Sequence, residues 1–247
     1  FFLASRHTPL QKLALKCLLT INSFTTLRKY REQMMALLDN SQFSDQLIQL
    51  SSDGETTLHS DDADDIRPFL VRILYGRAVG GGKRNFRSAA INSLHSFPEC
   101  IPLFFELAHE HLERVHDLKD NTAAAGDDVD DDDNVPSEER GGNRQLIGYL
   151  SLIYDSVHIL QADAKPVVSL ICTEGIFPIL AADSGNHEDR VIRQLAAKSL
   201  TEMLSSIPSE AVWEPLFPTL NKLMIPKLDN FAQQNKETPS TVLKFFV

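Results

Sequence analysis

The residues best suited to binding chemistry lie between Arg67 and Pro98, a segment that contains no acidic residue. A guanidinium group can donate two parallel hydrogen bonds to one phosphate, so this arginine-rich segment could contact RNA or an acidic partner. The alternative is a solvated rim whose charges pair with nearby aspartates. The candidate contacts with RNA or a partner are Arg72, Arg77, Lys83, Arg84 and Arg87.

The glycine run Gly80–Gly82 before Lys83 invites comparison with a phosphate-binding loop, which reads Gly-x-x-x-x-Gly-Lys-Ser/Thr. Arg77 stands where the first glycine belongs, and Arg84 stands where the hydroxyl belongs. The sequence therefore predicts a flexible joint near 80–82 and no nucleotide site. Arg84 and Arg87 are three positions apart, so on a helix they share a face beside this joint.

Three side chains at helical spacing resemble a metal site, namely His109, Glu113 and His116. The spacing is common on polar helices and implies no fourth ligand, so a solvated helix face is the better interpretation. No Ser or Cys has the neighbours that activate a nucleophile. We predict a protein that is not an enzyme and that holds no cofactor and no metal.

Apolar residues recur at the helical period along nearly the whole chain. One such series advances by four, three, four and three positions, which aligns one face of a helix. It consists of Leu146, Leu150, Ile153, Val157 and Leu160. Strand-like alternation is hard to find, and the fold class is predicted to be all-α.

A repeat supports a specific helical architecture. Ile176–Leu180 reads Ile-Phe-Pro-Ile-Leu, and forty residues later Leu216–Leu220 reads Leu-Phe-Pro-Thr-Leu. Helix pairs with a period of about 40 residues are typical of HEAT and armadillo proteins. We predict an α-solenoid of stacked antiparallel helix hairpins, with the proline bending the second helix of each pair.

The polar segment from Asp117 to Asn143 cannot bury enough surface to offset its ordering entropy, so it is predicted to be a disordered acidic loop. It separates helical repeats over 1–116 from further repeats over 144–247. Six of the seven residues from Asp127 to Asp133 are aspartate. This run is interpreted as a solvated linker, with a docking tail for a basic protein as the alternative.

Bulk properties exclude several classes of protein. The net charge of −10 argues against a surface covered in phosphate contacts. No apolar run reaches the length of a membrane span, and the opening residues Phe1–Ser5, which lack a basic start and a long apolar stretch, lead us to expect no signal peptide. The three cysteines form no Cys-x-x-Cys pair, which predicts buried thiols in a reducing compartment. The start without Met and the apolar run Leu243–Val247 lead us to expect a piece of a longer protein.

Residues Arg67–Arg77 read Arg-Pro-Phe-Leu-Val-Arg-Ile-Leu-Tyr-Gly-Arg. This block resembles the Arg-x-x-Leu-x-Arg-Ile-Leu-Tyr-Gly-Arg segment of the "down-regulated in metastasis" family, very large HEAT-repeat scaffolds of the nucleolar small-subunit processome. Further stretches resemble that family in the same order, namely Leu13–Thr20, Tyr30–Asp39, Lys83–Ile91, Arg193–Glu202 and Ser240–Phe246.

The resemblance implies an internal segment of a non-catalytic scaffold located in the nucleus and nucleolus. Its implied partners are the pre-rRNA ribonucleoprotein and small-subunit processome proteins, contacted during 18S rRNA processing, with no membrane and no small-molecule substrate. The alternative is a karyopherin-like transport or trafficking adaptor, since the acidic charge and the acidic loop suit basic protein cargo.

Overall fold

The structure, a computed structural model, describes residues 2–51, 58–80, 84–110, 112, 137–160, 165–182 and 187–229. Every regular element in these ranges is helical and no strand occurs among them, which confirms the all-α prediction. The chain divides into two compact units, Phe1–Leu107 and Ala108–Val247. No helix in the described ranges has both the length and the apolar character needed to cross a membrane.

The first unit is built around one long central helix. A 3-10 turn, Phe2–Ala4, precedes α1 (Thr8–Thr20), α2 (Thr25–Lys29), α3 (Arg31–Ala36), α4 (Phe43–Ser51), the central α5 (Ser60–Val79) and α6 (Arg84–Ser93). Two 3-10 turns, Leu94–Ser96 and Pro98–Cys100, lead into α7 over residues 101–110. Residues 81–83, where the sequence predicts most of the glycine joint, lie outside the described ranges, so the joint stays a prediction.

Helix α5 is central because α1, α2, α6 and the first 3-10 turn all pack against it. Its apolar residues Ile66, Ile73 and Leu74 are fully buried, and Ala78 is 2% exposed. From Leu70 to Ala78 every residue except the half-buried Arg72 is buried, so this half of the helix must be covered by several neighbours. Acidic residues in its first turn complement the positive end of the helix dipole.

The second unit contains two successive helix pairs. It comprises α8 (Ser137–Ser156), a 3-10 turn Val157–Ile159, α9 (Lys165–Leu170), a π-helical segment Ile171–Ile176, α10 (Phe177–Ala181), α11 (His187–Ser206), α12 (Glu210–Trp213) and α13 (Phe217–Asp229). The first helices α8 and α11 contact each other, and α10 contacts α13. First helices stacking on first helices, and second on second, is the packing of a helical-repeat protein.

The predicted repeat occupies equivalent places in these two pairs. α10 and α13 both begin at the phenylalanine of Phe-Pro, with the proline at the second helical position. Leu180 and Leu220 are buried to a similar degree, 5% and 6% exposed. The phenylalanines differ, because Phe177 is 4% exposed and Phe217 is 42% exposed.

The π-helical segment stands directly before Pro178. Because proline has no N–H group, the regular bond to the Glu174 carbonyl cannot form, and the wider turn is where the helix absorbs that loss. Gly175 lies in this segment against Tyr149, whose hydroxyl is 2.6 Å from the position of an ideal Cβ. The change of helical geometry ends at Ile176, two residues before the proline, and the bend predicted for the second helix of each pair stays a prediction.

The predicted division of the chain differs from the observed one. α8 begins at Ser137, inside the predicted loop, and Asn143 is 8% exposed. Ser137 followed by Glu138 and Glu139 has the composition of a helix start, which the polar character of the segment concealed. Assigning residues 137–143 to a loop was therefore wrong. Residues 117–136 of that loop lie outside the described ranges.

Candidate nucleic-acid interface

The end of α5 carries the block that resembles a known family, and most of that block is packed inside the first unit. Ile73 and Leu74 are fully buried. Tyr75 is 4% exposed, and its ring meets the edge of the Phe104 ring with centroids 5.6 Å apart. These residue types are therefore required by packing, and they form a structural core beside the candidate basic residues.

Arg77 is buried against two aromatic rings, although the sequence placed it among the candidate contacts. It is 6% exposed, and its guanidinium carbon lies 4.6 Å from the Phe43 ring centroid and 4.4 Å from that of Phe86. Its Nη1 donates to Asn40 Oδ1 at 2.8 Å and to Thr8 Oγ1 at 3.4 Å. The side chain thus joins four segments of the first unit and is not accessible to an external phosphate.

The electrostatics of Arg77 agree with a structural role. Burial lowers the pKa of its guanidinium, and the nearby carboxylate of Asp39 partly offsets that effect. Its Nε and Nη2 atoms are buried without a hydrogen-bond partner. The negative faces of aromatic rings stabilise a cation in such a place, so the contacts with Phe43 and Phe86 replace part of the lost hydration.

The other candidate residues are distributed along α5 and α6. Arg72 is half-buried, and its Nη1 donates to the Pro68 carbonyl at 2.6 Å. Arg87 is also half-buried and lies on α6, which begins at Arg84. Lys83 and the side chain of Arg84 lie outside the described residues. Helices α5 and α6 pack against each other, and the role of these basic residues in binding stays a prediction.

The acidic turn at the start of α5 has partners of its own. Asp62 Oδ2 accepts hydrogen bonds from Lys29 Nζ at 2.5 Å and from the Tyr30 hydroxyl at 2.9 Å. Asp64 pairs with Arg67, whose Nη2 also lies 3.8 Å from Glu99 Oε1. The hydrogen bonds from Lys29 and Tyr30 lower the pKa of Asp62. Asp62 and Asp64 therefore pair with Lys29, Tyr30 and Arg67, and none of these three is a candidate RNA or partner contact.

A segment that the sequence analysis did not single out runs along the end of α5. Gln11 is fully buried, and its Nε2 donates to the Leu3 carbonyl at 2.6 Å and to the Ile73 carbonyl at 3.5 Å. Further along, the Ser5 carbonyl oxygen is 2.6 Å from the position of an ideal Cβ on Gly76. The N-terminal residues thus follow α5 toward its C-terminal end.

The three thiols differ in exposure. Burial raises the pKa of Cys100 to about 11 and that of Cys172 to about 12, so both are protonated at neutral pH. Cys17 is exposed on α1, and the prediction that all three cysteines are buried was wrong for this one. Cys17 lies in the helical apolar pattern of α1, so the sequence did not show that its thiol is exposed.

Within the described part of the chain, no group of three His, Cys, Asp or Glu side chains is placed to hold a metal ion. His109 lies near the end of α7 and is half-buried. Glu113 and His116, the other two residues of the spacing considered above, lie outside the described residues.

Comparison with known proteins indicates the family of this chain. A family model described as "U3 small nucleolar RNA-associated protein 20, N-terminal" matches residues 1–247. A protein of Saccharomyces cerevisiae named U3 small nucleolar RNA-associated protein 20 is 24% identical over 263 residues, which cover 99% of this chain and 10% of the relative. A Schizosaccharomyces pombe protein of the same name is 25% identical over 264 residues, covering 96% of this chain and 10% of the relative. The chain thus spans about a tenth of the length of these relatives.

Proposed function

The chain belongs to the family described as U3 small nucleolar RNA-associated protein 20, N-terminal, and from this membership we propose that it is a scaffold segment of a ribosome-biogenesis factor. In this role it binds pre-rRNA and assembly proteins of the small-subunit processome in the nucleolus, during 18S rRNA processing. The observation that carries the proposal is the family match over all 247 residues. The relatives' name supports association with a small nucleolar RNA particle.

The helical architecture supports a role in binding. Stacked helix pairs expose extended surfaces that several partners can contact at once. Packing explains why the Arg67–Arg77 block contains a buried Ile73 and a buried Arg77 that contacts two aromatic rings. These residues support a structural role for the block and not a catalytic one. We propose in addition that the resemblance to the "down-regulated in metastasis" family and the family match above describe the same scaffold lineage.

The partner surface that we propose on α6 and the joint before it consists of Lys83, Arg84 and Arg87, with Arg72 at its margin. Arg77 is excluded from it because its guanidinium is buried. Lysine and arginine contacts to phosphate release counterions, so binding through this surface should weaken as the salt concentration rises.

Ultraviolet crosslinking of the tagged protein in cells tests the proposed role. We expect precursor small-subunit rRNA to be enriched and the tagged protein to give a nucleolar signal. Recovery of basic cargo proteins with a signal at the nuclear rim or in the cytosol, and without rRNA enrichment, would favour the karyopherin-like adaptor instead. The net charge of −10 is the property that favours this second candidate.

Two charge-reversal variants, compared by rRNA crosslinking, test the proposed partner surface. Lys83→Glu, Arg84→Glu and Arg87→Glu, combined in one variant, should reduce rRNA crosslinking. The matched control combines Lys16→Glu, Arg31→Glu and Lys222→Glu, three exposed residues on α1, α3 and α13. Both variants change the net charge equally. If both reduce crosslinking equally, the loss reflects overall charge and the surface is misassigned.

A further inference from the structure

The guanidinium of Arg77 has hydrogen-bond donors that no described residue of the chain uses. The side chain is 6% exposed, and its Nε and Nη2 atoms are buried without a hydrogen-bond partner. Buried donors are normally paired, and a donor on a cation pairs best with an anion. The interior of the first unit therefore contains a place where an anionic group would be stabilised.

Thr8, the first residue of α1, lies against this guanidinium. Its Oγ1 accepts a hydrogen bond from Arg77 Nη1 at 3.4 Å, which is long for such a bond. A phosphate attached to this oxygen would bring three strong acceptors to the guanidinium, whose fork of N–H groups matches two phosphate oxygens at once. A phosphate on Thr8 thus reaches the buried donors without having to enter from solvent.

The surroundings of Thr8 favour negative charge. The first turn of α1 contains no acidic residue, and His7 at its N-cap makes no capping bond through its side chain. The N-terminus of this 13-residue helix carries partial positive charge, which stabilises a phosphate. Lys12 is four residues further on and shares the helix face of Thr8. The carboxylate of Asp39 lies 3.9 Å from Lys12 and already accepts two hydrogen bonds from Ser41, which limits its repulsion of a phosphate.

The residues next to Thr8 allow a modifying enzyme to reach it. Thr8 is half-buried, and its neighbours Arg6, His7 and Pro9 are exposed. Proline disfavours the helical conformation in the residue before it, so the first turn of α1 opens at a low cost. Protein kinases bind their substrates as extended segments, and the dipeptide Thr-Pro is the one that proline-directed kinases modify.

We propose that Thr8 is a phosphorylation site and that Arg77 and Lys12 hold its phosphate at the N-terminus of α1. A protein kinase transfers the γ-phosphoryl group of a nucleoside triphosphate. A bond forms between Thr8 Oγ1 and the γ-phosphorus, and the bond from that phosphorus to the bridging oxygen breaks. The hydroxyl proton passes to the base of the kinase, and a nucleoside diphosphate leaves. The phosphate then joins α1 to α5 and stabilises the first unit, independently of the proposed function.

The test compares the whole chain with the same chain carrying phosphothreonine at position 8, inserted during synthesis. The second pKa of a phosphothreonine is ordinarily about 6, and pairing with cations favours the dianion. A phosphorus NMR titration should therefore give a pKa lower by about 1 in the folded chain than in the chain unfolded in urea. Circular dichroism should show the melting temperature of the first unit raised by about 4–8 °C.

Arg77→Met and a second phosphorylated position are the controls. In Arg77→Met the fork is lost, so phosphorylation of Thr8 should lower the phosphate pKa and raise the melting temperature by less than half as much. Thr219 is exposed in the first turn of α13, so its phosphate meets a helix N-terminus without a buried guanidinium. Phosphothreonine at position 219 should show a smaller lowering of the pKa than phosphothreonine at position 8.

Several outcomes would overturn the proposal. Mass spectrometry of the tagged protein from cells should find phosphate on Thr8, and finding this residue only unmodified would exclude the modification. A phosphate pKa and a melting temperature that respond equally in Arg77→Met would exclude the contact with Arg77.

Two further arms complete the test. If millimolar inorganic phosphate raises the melting temperature of the unmodified chain as much, the site takes free phosphate and the covalent assignment fails. Should circular dichroism show that Arg77→Met is misfolded, Arg77→Lys decides, because it keeps a cation without the fork. An undiminished effect of phosphorylation in Arg77→Lys would overturn the proposed contact.

Discussion

The side chain of Gln11 occupies the space that a side chain on Gly76 would need. From that place its Nε2 donates to the Leu3 carbonyl, 2.6 Å away. The glycine of the Tyr-Gly-Arg block is thus explained by a close approach, since two segments of the first unit meet where its Cβ would be. A glycine at this position of the block lets the N-terminal segment lie on α5.

Gly76→Ala should destabilise the first unit. The new Cβ would overlap Gln11 Nε2 and lie 2.6 Å from the Ser5 carbonyl oxygen, and backbone cannot move aside cheaply. Overpacking of this kind costs about 1–3 kcal/mol. Chemical unfolding followed by circular dichroism measures the change. An unaltered free energy of unfolding would mean that Gln11 does not occupy this place.

Gly148→Ala, on α8, is the opposite case. Nothing lies within 4 Å of an ideal Cβ at this position, so the added methyl group meets open space. Replacing a helical glycine by alanine should stabilise the second unit by about 0.5–1 kcal/mol. Trp213 is the only tryptophan of the chain and is buried in this unit, so its fluorescence reports the unfolding midpoint. A lowered midpoint would contradict the open space at Gly148.

The loss of stability caused by a substitution at Arg77 should depend more on the shape of the new side chain than on its charge. Arg77→Ala leaves a cavity between Phe43 and Phe86 and should cost about 2–4 kcal/mol. Arg77→Met fills the space with an apolar chain and removes a poorly hydrated charge, so it should cost less than about 1 kcal/mol. Thermal unfolding gives the order. If Met proves as harmful as Ala, the charge itself holds the segments together.

RNA affinity distinguishes the structural role of Arg77 from a binding role. Because its guanidinium is 6% exposed, Arg77→Met should bind RNA with unchanged affinity and an unchanged salt slope. Filter binding across a series of salt concentrations measures both quantities. A shallower slope for this variant would return Arg77 to the contact surface.

A thiol reagent should modify one cysteine of the native chain at pH 8. Cys17 is exposed, whereas burial raises the pKa of Cys100 to about 11 and that of Cys172 to about 12. The reactive thiolate is therefore suppressed at both buried sites. Counting modified thiols by mass spectrometry should give one in the native chain, three after denaturation, and none in native Cys17→Ser. Rapid modification of Cys172 in the native state would show that α9 and α10 open readily.

The Asp62 carboxylate should make stability depend on pH on the acid side. Hydrogen bonds from Lys29 and Tyr30 lower its pKa from 3.8, so the folded state favours the ionised form. The resulting stability is present above pH 3.8 and is lost as the pH falls through the lower folded-state pKa. The melting temperatures of wild type and Asp62→Asn should therefore differ at pH 7 and converge in acid. A gap that is constant with pH would argue against the bonds to Lys29 and Tyr30.

The sequence predicted the fold through periodicity, because burial of a helix face imposes a spacing that any helical stack must show. The repeat at Phe177 and Phe217 was visible for the same reason. The different exposure of the two phenylalanines was not, since burial depends on which neighbouring helix covers each copy. The helical start at Ser137 was missed because a polar first turn has the same composition as a loop.

The candidate site was less predictable than the fold. A run of positive charge does not reveal which guanidinium is buried, and Arg77 was separated from the rest only by the aromatic rings that α4 and α6 place around it.

The hydrogen bond from Gln11 to Ile73 joins two residues that are synthesised at different times. The two residues are 62 positions apart, so α1 leaves the ribosome before its partner on α5 has been made. At about 5–20 residues per second, the delay is roughly 3 to 12 seconds. During that interval α1 can pack only on the first 3-10 turn and on α3, and it lacks the cover that α5 provides in the folded first unit.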